Sequence, residues 1–416
     1  MRYDGSFNFS EGNRFGLFPA VSAGWNLTNE PFMDDAGSWL NNLKLRASWG
    51  KMGNDLIPAY QFLTLYEYGG DGNYYAFGMD PRAYSGVAAT NTANPGITWE
   101  TSYKTNAGID FGAWQGKLDL SLDVFHEKRR DILINRNASV PDYAAISLPD
   151  ENLGKVDNRG VELTLNHQNS IDDINYNLGG NLTYHKSKII YMDEASSIPD
   201  YQQQEGHPIQ SWLVYQADGL YRTQSEIDNS PHLPGTQPGD IRYVDVNEDG
   251  EITGDDRFRR YTSPIPKMQF GFNAGLDYKN FGLNVFFQGQ AKAEQLAFDG
   301  EQQPVIKTYF EDRWTPENRD APLPRAFDRD DHINNRPSTF WLYDASYLRL
   351  KNVQFSYTLP SNLISRVGIS RLRVYVSGRN LITWDNMLGN WDPERTQGGY
   401  NYPQIKTFLI GTNITF

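Results

Sequence analysis

Met268-Gln269-Phe270-Gly271-Phe272-Asn273-Ala274-Gly275-Leu276-Asp277-Tyr278 alternates without a break. Met268, Phe270, Phe272, Ala274, Leu276 and Tyr278 fall on one side, and Gln269, Gly271, Asn273, Gly275 and Asp277 on the other. A period of two sends successive side chains to opposite faces of a strand. After the pair Lys279-Asn280, the apolar phase resumes at Phe281, Leu283, Val285 and Phe287. Two such runs joined by about two residues predict a tight antiparallel hairpin.

The pattern extends in both directions. Val161, Leu163, Leu165 and His167 oppose Glu162, Thr164 and Asn166. Tyr176, Leu178, Gly180, Leu182 and Tyr184 oppose Asn177, Gly179, Asn181 and Thr183. Further runs lie near 15–28, 43–50, 98–112, 117–134, 346–358, 371–380 and 404–416, with a remnant at 2–9. The expectation is an all-β chain of about twelve strands.

Alternation alone fits both a soluble sandwich and a barrel with a wet interior, because each has a polar face. Connection lengths separate them. Short links fall near 113–116, 169–174, 279–280 and 359–370, with a moderate one at 29–42. Long links fall near 51–97, 135–157, 191–265, 292–345 and 381–403. Short and long alternate along the whole chain. Outer-membrane barrels have short periplasmic turns and long extracellular loops, so this rhythm follows from their topology. Greek-key sandwiches have no reason to show it. The fold expected is therefore an antiparallel transmembrane β-barrel with long extracellular loops.

Composition agrees. The 416 residues include 38 Lys+Arg and 51 Asp+Glu, a net charge of -13, which is not the footprint of a nucleic-acid binder. There is no cysteine, so disulfides, thiolate metal sites and a cysteine nucleophile are excluded. The 37 Gly and 22 Pro favour turns over long helices. Mean hydropathy is -0.62, and no apolar run approaches the ~18 residues of a membrane helix. A barrel escapes that test, since only alternate residues of its strands need be apolar. The final strand ends on Phe408, Ile410, Thr412, Ile414 and Phe416 in one phase. A terminal aromatic on the lipid-facing side is the expected outer-membrane assembly signal, carried by Phe408, Ile410, Ile414 and Phe416; the plainer reading is an edge strand stopping at Phe.

Several segments resemble one family in that family's own order. They are Arg14-Phe15-Gly16-Leu17-Phe18-Pro19-Ala20-Val21-Ser22-Ala23-Gly24-Trp25, Leu43-Lys44-Leu45-Arg46-Ala47-Ser48-Trp49-Gly50 and Asn94-Pro95-Gly96-Ile97-Thr98-Trp99-Glu100-Thr101. Asn158-Arg159-Gly160-Val161-Glu162-Leu163, Gly239-Asp240-Ile241-Arg242-Tyr243 and Arg313-Trp314-Thr315-Pro316-Glu317-Asn318 follow. Tyr347-Leu348-Arg349-Leu350-Lys351-Asn352-Val353 and Ser377-Gly378-Arg379-Asn380-Leu381 complete the set. Over nearly its whole length the chain resembles the C-terminal part of SusC/RagA-type TonB-linked outer-membrane transporters. The resemblance implies a location in the cell outer membrane and a large barrel around an N-terminal plug. It also implies a SusD-like surface lipoprotein as lid, energy relayed by the TonB complex, and import of glycans or peptides. Such barrels have about 22 strands, so residues 1–416 correspond to part of one. The plug, TonB box and signal peptide are expected to be absent from this stretch. The strand near 2–9 would then have an unpaired edge, and the chain alone is expected not to transport. The alternative is a secreted soluble β-sandwich that binds or cleaves polysaccharide.

Two local features are candidate sites. Asp245-Val246-Asn247-Glu248-Asp249-Gly250-Glu251-Ile252-Thr253-Gly254-Asp255-Asp256 matches a calcium-loop pattern. Asp245, Asn247 and Asp249 stand at positions one, three and five, Gly250 at six, Glu251 after it, Ile252 at eight and Asp256 at twelve. Aspartate at twelve reaches less far than the usual glutamate, and the plainer reading is a solvated Asp/Asn/Gly turn. Calcium is thus a candidate ligand, and no cofactor is required. Aromatics crowd two long links: Tyr66, Tyr68, Tyr74 and Tyr75 in one, and Trp384, Trp391 and Tyr400 in the other. Flat rings stack on sugars, so these are candidates for substrate or lid contact; packing and the membrane girdle are the plainer readings.

No enzyme motif stands out. His126, His167, His185, His207, His232 and His332 are scattered without an H-E-x-x-H pair, and no G-x-S-x-G elbow occurs. Gly112-Ala113-Trp114-Gln115-Gly116-Lys117-Leu118 is one residue short of a P-loop and reads as a hairpin turn. Catalytic residues are expected to be none.

Overall fold

The structure is a computed structural model that describes residues 1–69, 74–76, 78, 83–89, 92–136, 148–297, 311–326, 332–364, 368–388, 391–394 and 404–416. Eleven strands form one sheet: β1 Ala20–Asn26, β2 Leu40–Asn54, β3 Glu100–Ala113, β4 Leu118–Ile134, β5 Glu151–Ile171 and β6 Ile174–Tyr191. They continue as β7 Met268–Tyr278, β8 Phe281–Ala291, β9 Tyr347–Thr358, β10 Arg371–Asp385 and β11 Thr407–Thr415. Each strand pairs antiparallel with its neighbour in sequence, so the sheet is an uninterrupted meander. Within the Gly112–Lys117 segment, residues 114–117 make the β3–β4 turn, with Trp114, Gln115 and Gly116 all at positive φ. Lys279, also at positive φ, turns β7 into β8.

One expected strand is placed differently. Residues 2–9 contribute only Arg2–Gly5, which pairs with Phe15–Phe18 in a ribbon separate from the main sheet. The break before β1 is at Pro19, which has no amide to donate; its carbonyl instead accepts the Lys51 amide. The main sheet therefore has eleven strands rather than twelve. Phe9, Phe18, Ile97 and Trp99 bury this ribbon against the start of β3.

Register explains the two faces. Ile171, Ile174, Tyr278 and Phe281 form one outward row; Val124, Val161, Tyr184 and Met268 form another. The rows are ten residues apart along β5. At about 3.4 Å per residue and a tilt near 40°, the apolar band is about 26 Å tall, the height of a membrane core. Phe272, Phe355 and Ile410 are 44%, 51% and 79% exposed on that face, with no second sheet packed against it among the described residues. A soluble sandwich would bury these side chains. The sandwich alternative is thereby set aside, because its core-forming face is the one left bare.

The opposite face is polar. Asn177, Asn181 and Asn273 lie directly across the β6–β7 pair from Gly275, Gly271 and Gly179. Each amide fills the space a Cβ would need on its glycine partner. Asparagine over glycine thus gives this wall polar groups without bulk.

Candidate functional site

The inward face and the long connections make up the candidate site. On the wall, the Arg46 guanidinium of β2 spans two strands, reaching Asp110 at 2.7 Å and Asp123 at 2.8 Å. Ser121 closes the group with a 2.9 Å bond to Asp110. Further toward the long-loop end, Glu100 pairs with Arg129, and Glu127 accepts from Ser102 at 2.6 Å. These charges occupy the Gly/Asn/Ser/Thr phase of the strands, where the sequence shows them as isolated exceptions.

The 192–267 and 292–346 connections pack together. Tyr215, Leu220, Leu233, Ile241, Tyr243 and Ile252 from the first join Leu323, Ile333 and Trp341 from the second in one core. Short ribbons frame it: Leu213–Tyr215 with Arg257–Arg259, Ala217–Leu220 with Ile241–Tyr243, and Glu294–Leu296 with Leu342–Asp344. Beside this core Asp240 is fully buried. Its carboxylate accepts from Arg325 at 2.6 Å, Asn334 at 2.9 Å and the Gln237 amide at 2.8 Å. Asn334 in turn accepts from the Ile241 amide, and its carbonyl accepts from the Trp341 indole. Burial pushes the Tyr243 phenol above its ordinary pKa, and its hydroxyl donates to the Ile333 carbonyl at 2.7 Å. The Asp240 carboxylate and the Asn334 side chain are thereby matched, as a buried network requires.

A second network draws the last long connection inward. Arg349 of β9 is 1% exposed and meets Asp392 at 2.9 Å and Glu394 at 2.8 Å. Thr383 accepts from it as well, and the guanidinium lies 4.8 Å from the Tyr347 ring centre. Tyr347 donates to Glu394 at 2.6 Å. None of these roles was singled out from the sequence. The signal was present in Gly239-Asp240-Ile241 and in Leu348-Arg349-Leu350, but the partners lie elsewhere in the chain.

The predicted site residues scatter. Tyr66 and Tyr68 are 70% and 74% exposed on a ribbon with Val87–Ala89. Tyr74 and Tyr75 lie in a ribbon with Ala83–Ser85. Trp391 packs beside Ala293, Ala345 and Met387. Trp384 stands opposite Leu348 on the outward face, the position of a membrane-girdle ring. Tyr400 lies outside the described residues. Phe408, Ile410, Ile414 and Phe416 share the outward phase and are all exposed.

The calcium-pattern loop closes on itself. Asp245 accepts from the Asp249 and Gly250 amides at 3.2 and 2.8 Å, and Asp249 accepts from the Glu251 amide at 2.9 Å. Asn247 donates to Asp249, Glu251 is exposed, and Ile252 is anchored in the loop core. Asp256 is fully buried and accepts from Val246 and Thr253, both at 2.7 Å. Among the described residues no three His, Asp or Glu side chains are grouped as a metal centre.

A family model described as TonB dependent receptor-like, beta-barrel matches residues 1–381. The chain belongs to that family. TonB-dependent receptor P3 of Formosa agariphila is 31% identical over 447 aligned residues, covering all of this chain and 43% of the relative. TonB-dependent receptor SusC of Bacteroides thetaiotaomicron is 25% identical, covering all of this chain and 42% of SusC. In fold, the receptor barrel is similar to the RagAB peptide transporter structure, with a TM-score of 0.76 at 23% identity, over all of this chain and 45% of that one. It spans less than half the length of each of these relatives. Barrels of the family reside in the outer membrane, which fixes the long connections as extracellular.

Proposed function

We propose that this receptor barrel is the C-terminal portion of an outer-membrane importer that admits glycans or peptides. It works with a SusD-like surface lipoprotein and draws energy from the TonB complex. The observation that carries this reading is the family match over residues 1–381 joined to a polar, charge-lined inward wall. A wall of Asn, Gly and paired charges offers hydrogen bonds to polar cargo without a tight, substrate-shaped cleft. The outer edges of β1 and β11 have no strand partner among the described residues. In a bilayer such edges require partners, and the remainder of a longer receptor would supply them. Import is transport rather than catalysis, so the reading assigns no catalytic residue.

Deleting the gene from its host, then measuring uptake of labelled oligosaccharide and oligopeptide pools, tests this. The deletion should abolish uptake of one pool, and dissipating the proton-motive force should abolish the same uptake in the parent. Unchanged uptake of both pools would overturn the proposal.

A further inference from the structure

The outward face carries a second pattern just beyond its apolar band. His126, Arg159 and Lys186 stand opposite one another across β4, β5 and β6, one row past Val124, Val161 and Tyr184. Lys128, Asp157 and Lys188 form the next row. Arg159, Lys186 and Lys188 are exposed. Two residues of a tilted strand place the first row about 5 Å above the hydrocarbon band, at headgroup level on the long-loop side.

The charge there is not balanced from within. Asp157 is committed to Arg130 at 2.7 Å and His126 at 3.6 Å. Among the described residues no acid lies within ion-pair distance of Arg159, Lys186 or Lys188. Lys292 adds a cation 5.0 Å from the Tyr184 ring centre. Burial, and after it the nearby Lys186 and Lys292 charges, hold the Lys267 ammonium below its usual pKa; Glu294 beside it is already engaged by Arg260 at 2.5 Å. Like charges directly opposite across a strand pair cost stability, so Arg159 facing Lys186 is unfavourable without an anion between them. These side chains point away from the lumen, so the anion must come from the membrane side.

We propose that this rim, centred on Arg159, Lys186 and Lys188, binds the phosphorylated headgroup of an outer-leaflet glycolipid. The lipid is named by position and charge together. Its acyl chains would lie along Leu122, Leu163 and Leu182, which stack beneath the rim in register. Its phosphates would meet cations that have no acidic partner among the described residues.

The full-length receptor, extracted from outer membranes, is titrated with bisphosphorylated lipid A and, in parallel, with phosphate-free lipid A, reading complexes by native mass spectrometry. The triple variant Arg159→Gln, Lys186→Gln, Lys188→Gln should bind bisphosphorylated lipid A roughly a hundredfold more weakly, given the contribution of each basic residue at an anionic surface. Arg159→Lys keeps the charge and should retain binding, which separates lost recognition from misfolding. Equal binding by the triple variant, or equal binding of phosphate-free lipid A by the parent, would overturn the proposal. So would a triple variant that loses affinity only for a soluble polyanion such as heparin.

Discussion

The Arg325 guanidinium lies 2.6 Å from the fully buried Asp240 carboxylate, 85 residues earlier in the chain. That bond ties the 292–346 connection to the 192–267 connection, and Asn334 and His332 extend it on the Arg325 side. Two long links between barrel strands thereby become one packed body with its own core.

Asp240→Ala should loosen this body without unfolding the barrel. Removing one member of a buried charge pair costs about 3 kcal/mol, equivalent to a roughly hundredfold rise in the opened population. Limited proteolysis in detergent should show faster cleavage within 192–267 by about that factor. Parental cleavage rates would mean that Asp240 does not hold the connections together.

Arg349→Met should release residues 391–394. The expected cost is about 2 kcal/mol, less than for a fully buried pair because Glu394 is 33% exposed and can rehydrate. Trp391 fluorescence, compared with a Trp391→Phe control, should shift to the red as the connection leaves the wall.

Gly160→Ala tests the strand packing. A Cβ there would sit 2.5 Å from the Tyr184 carbonyl oxygen and 2.6 Å from the Phe125 ring, so backbone would have to move. A loss of about 1–3 kcal/mol in urea unfolding of the folded barrel is expected. Gly180→Ala is the comparison. Its nearest neighbour would be 3.7 Å away, an ordinary contact, and it should be neutral.

Deleting Phe416 should lower the amount of receptor in the outer membrane several-fold while leaving synthesis unchanged, as immunoblots of fractionated cells would show. The residue is 87% exposed at the end of an outward row and contributes nothing to a packed core, so an effect on folded stability is not expected. Equal outer-membrane levels would remove its role as an assembly signal.

The Asp245–Asp256 loop is closed by amides on three of its own carboxylates. Chelation is therefore expected to leave its protease sensitivity unchanged. A rise in cleavage on adding EDTA, reversed by calcium, would show that the carboxylates hold an ion as their spacing suggests.

Strand positions and faces were legible because a strand's side chains alternate by covalent geometry, whatever its partners. Met268 to Tyr278 therefore announces its own outward and inward residues, and the rhythm of link lengths announces the side of the membrane. The break at Pro19 was legible in principle, since a proline cannot donate to a ladder. It was hidden by the apolar phase of Phe15, Leu17, Val21, Ala23 and Trp25, which runs straight across it in sequence. Trp384 illustrates the opposite difficulty. It neighbours a long link in sequence, yet its register against Leu348 turns it toward lipid.

The amino-acid order alone accounts for the meander, its polar and apolar faces and its membership of the receptor family. All of these depend on nearest neighbours along the chain or on adjacent strands. The pairings Asp240–Arg325 and Arg349–Glu394, and the unbalanced row of Arg159 and Lys186, required the folded molecule. A charge carries no mark of its partner in one dimension. Its meaning is set by what burial excludes and by what the register brings opposite it.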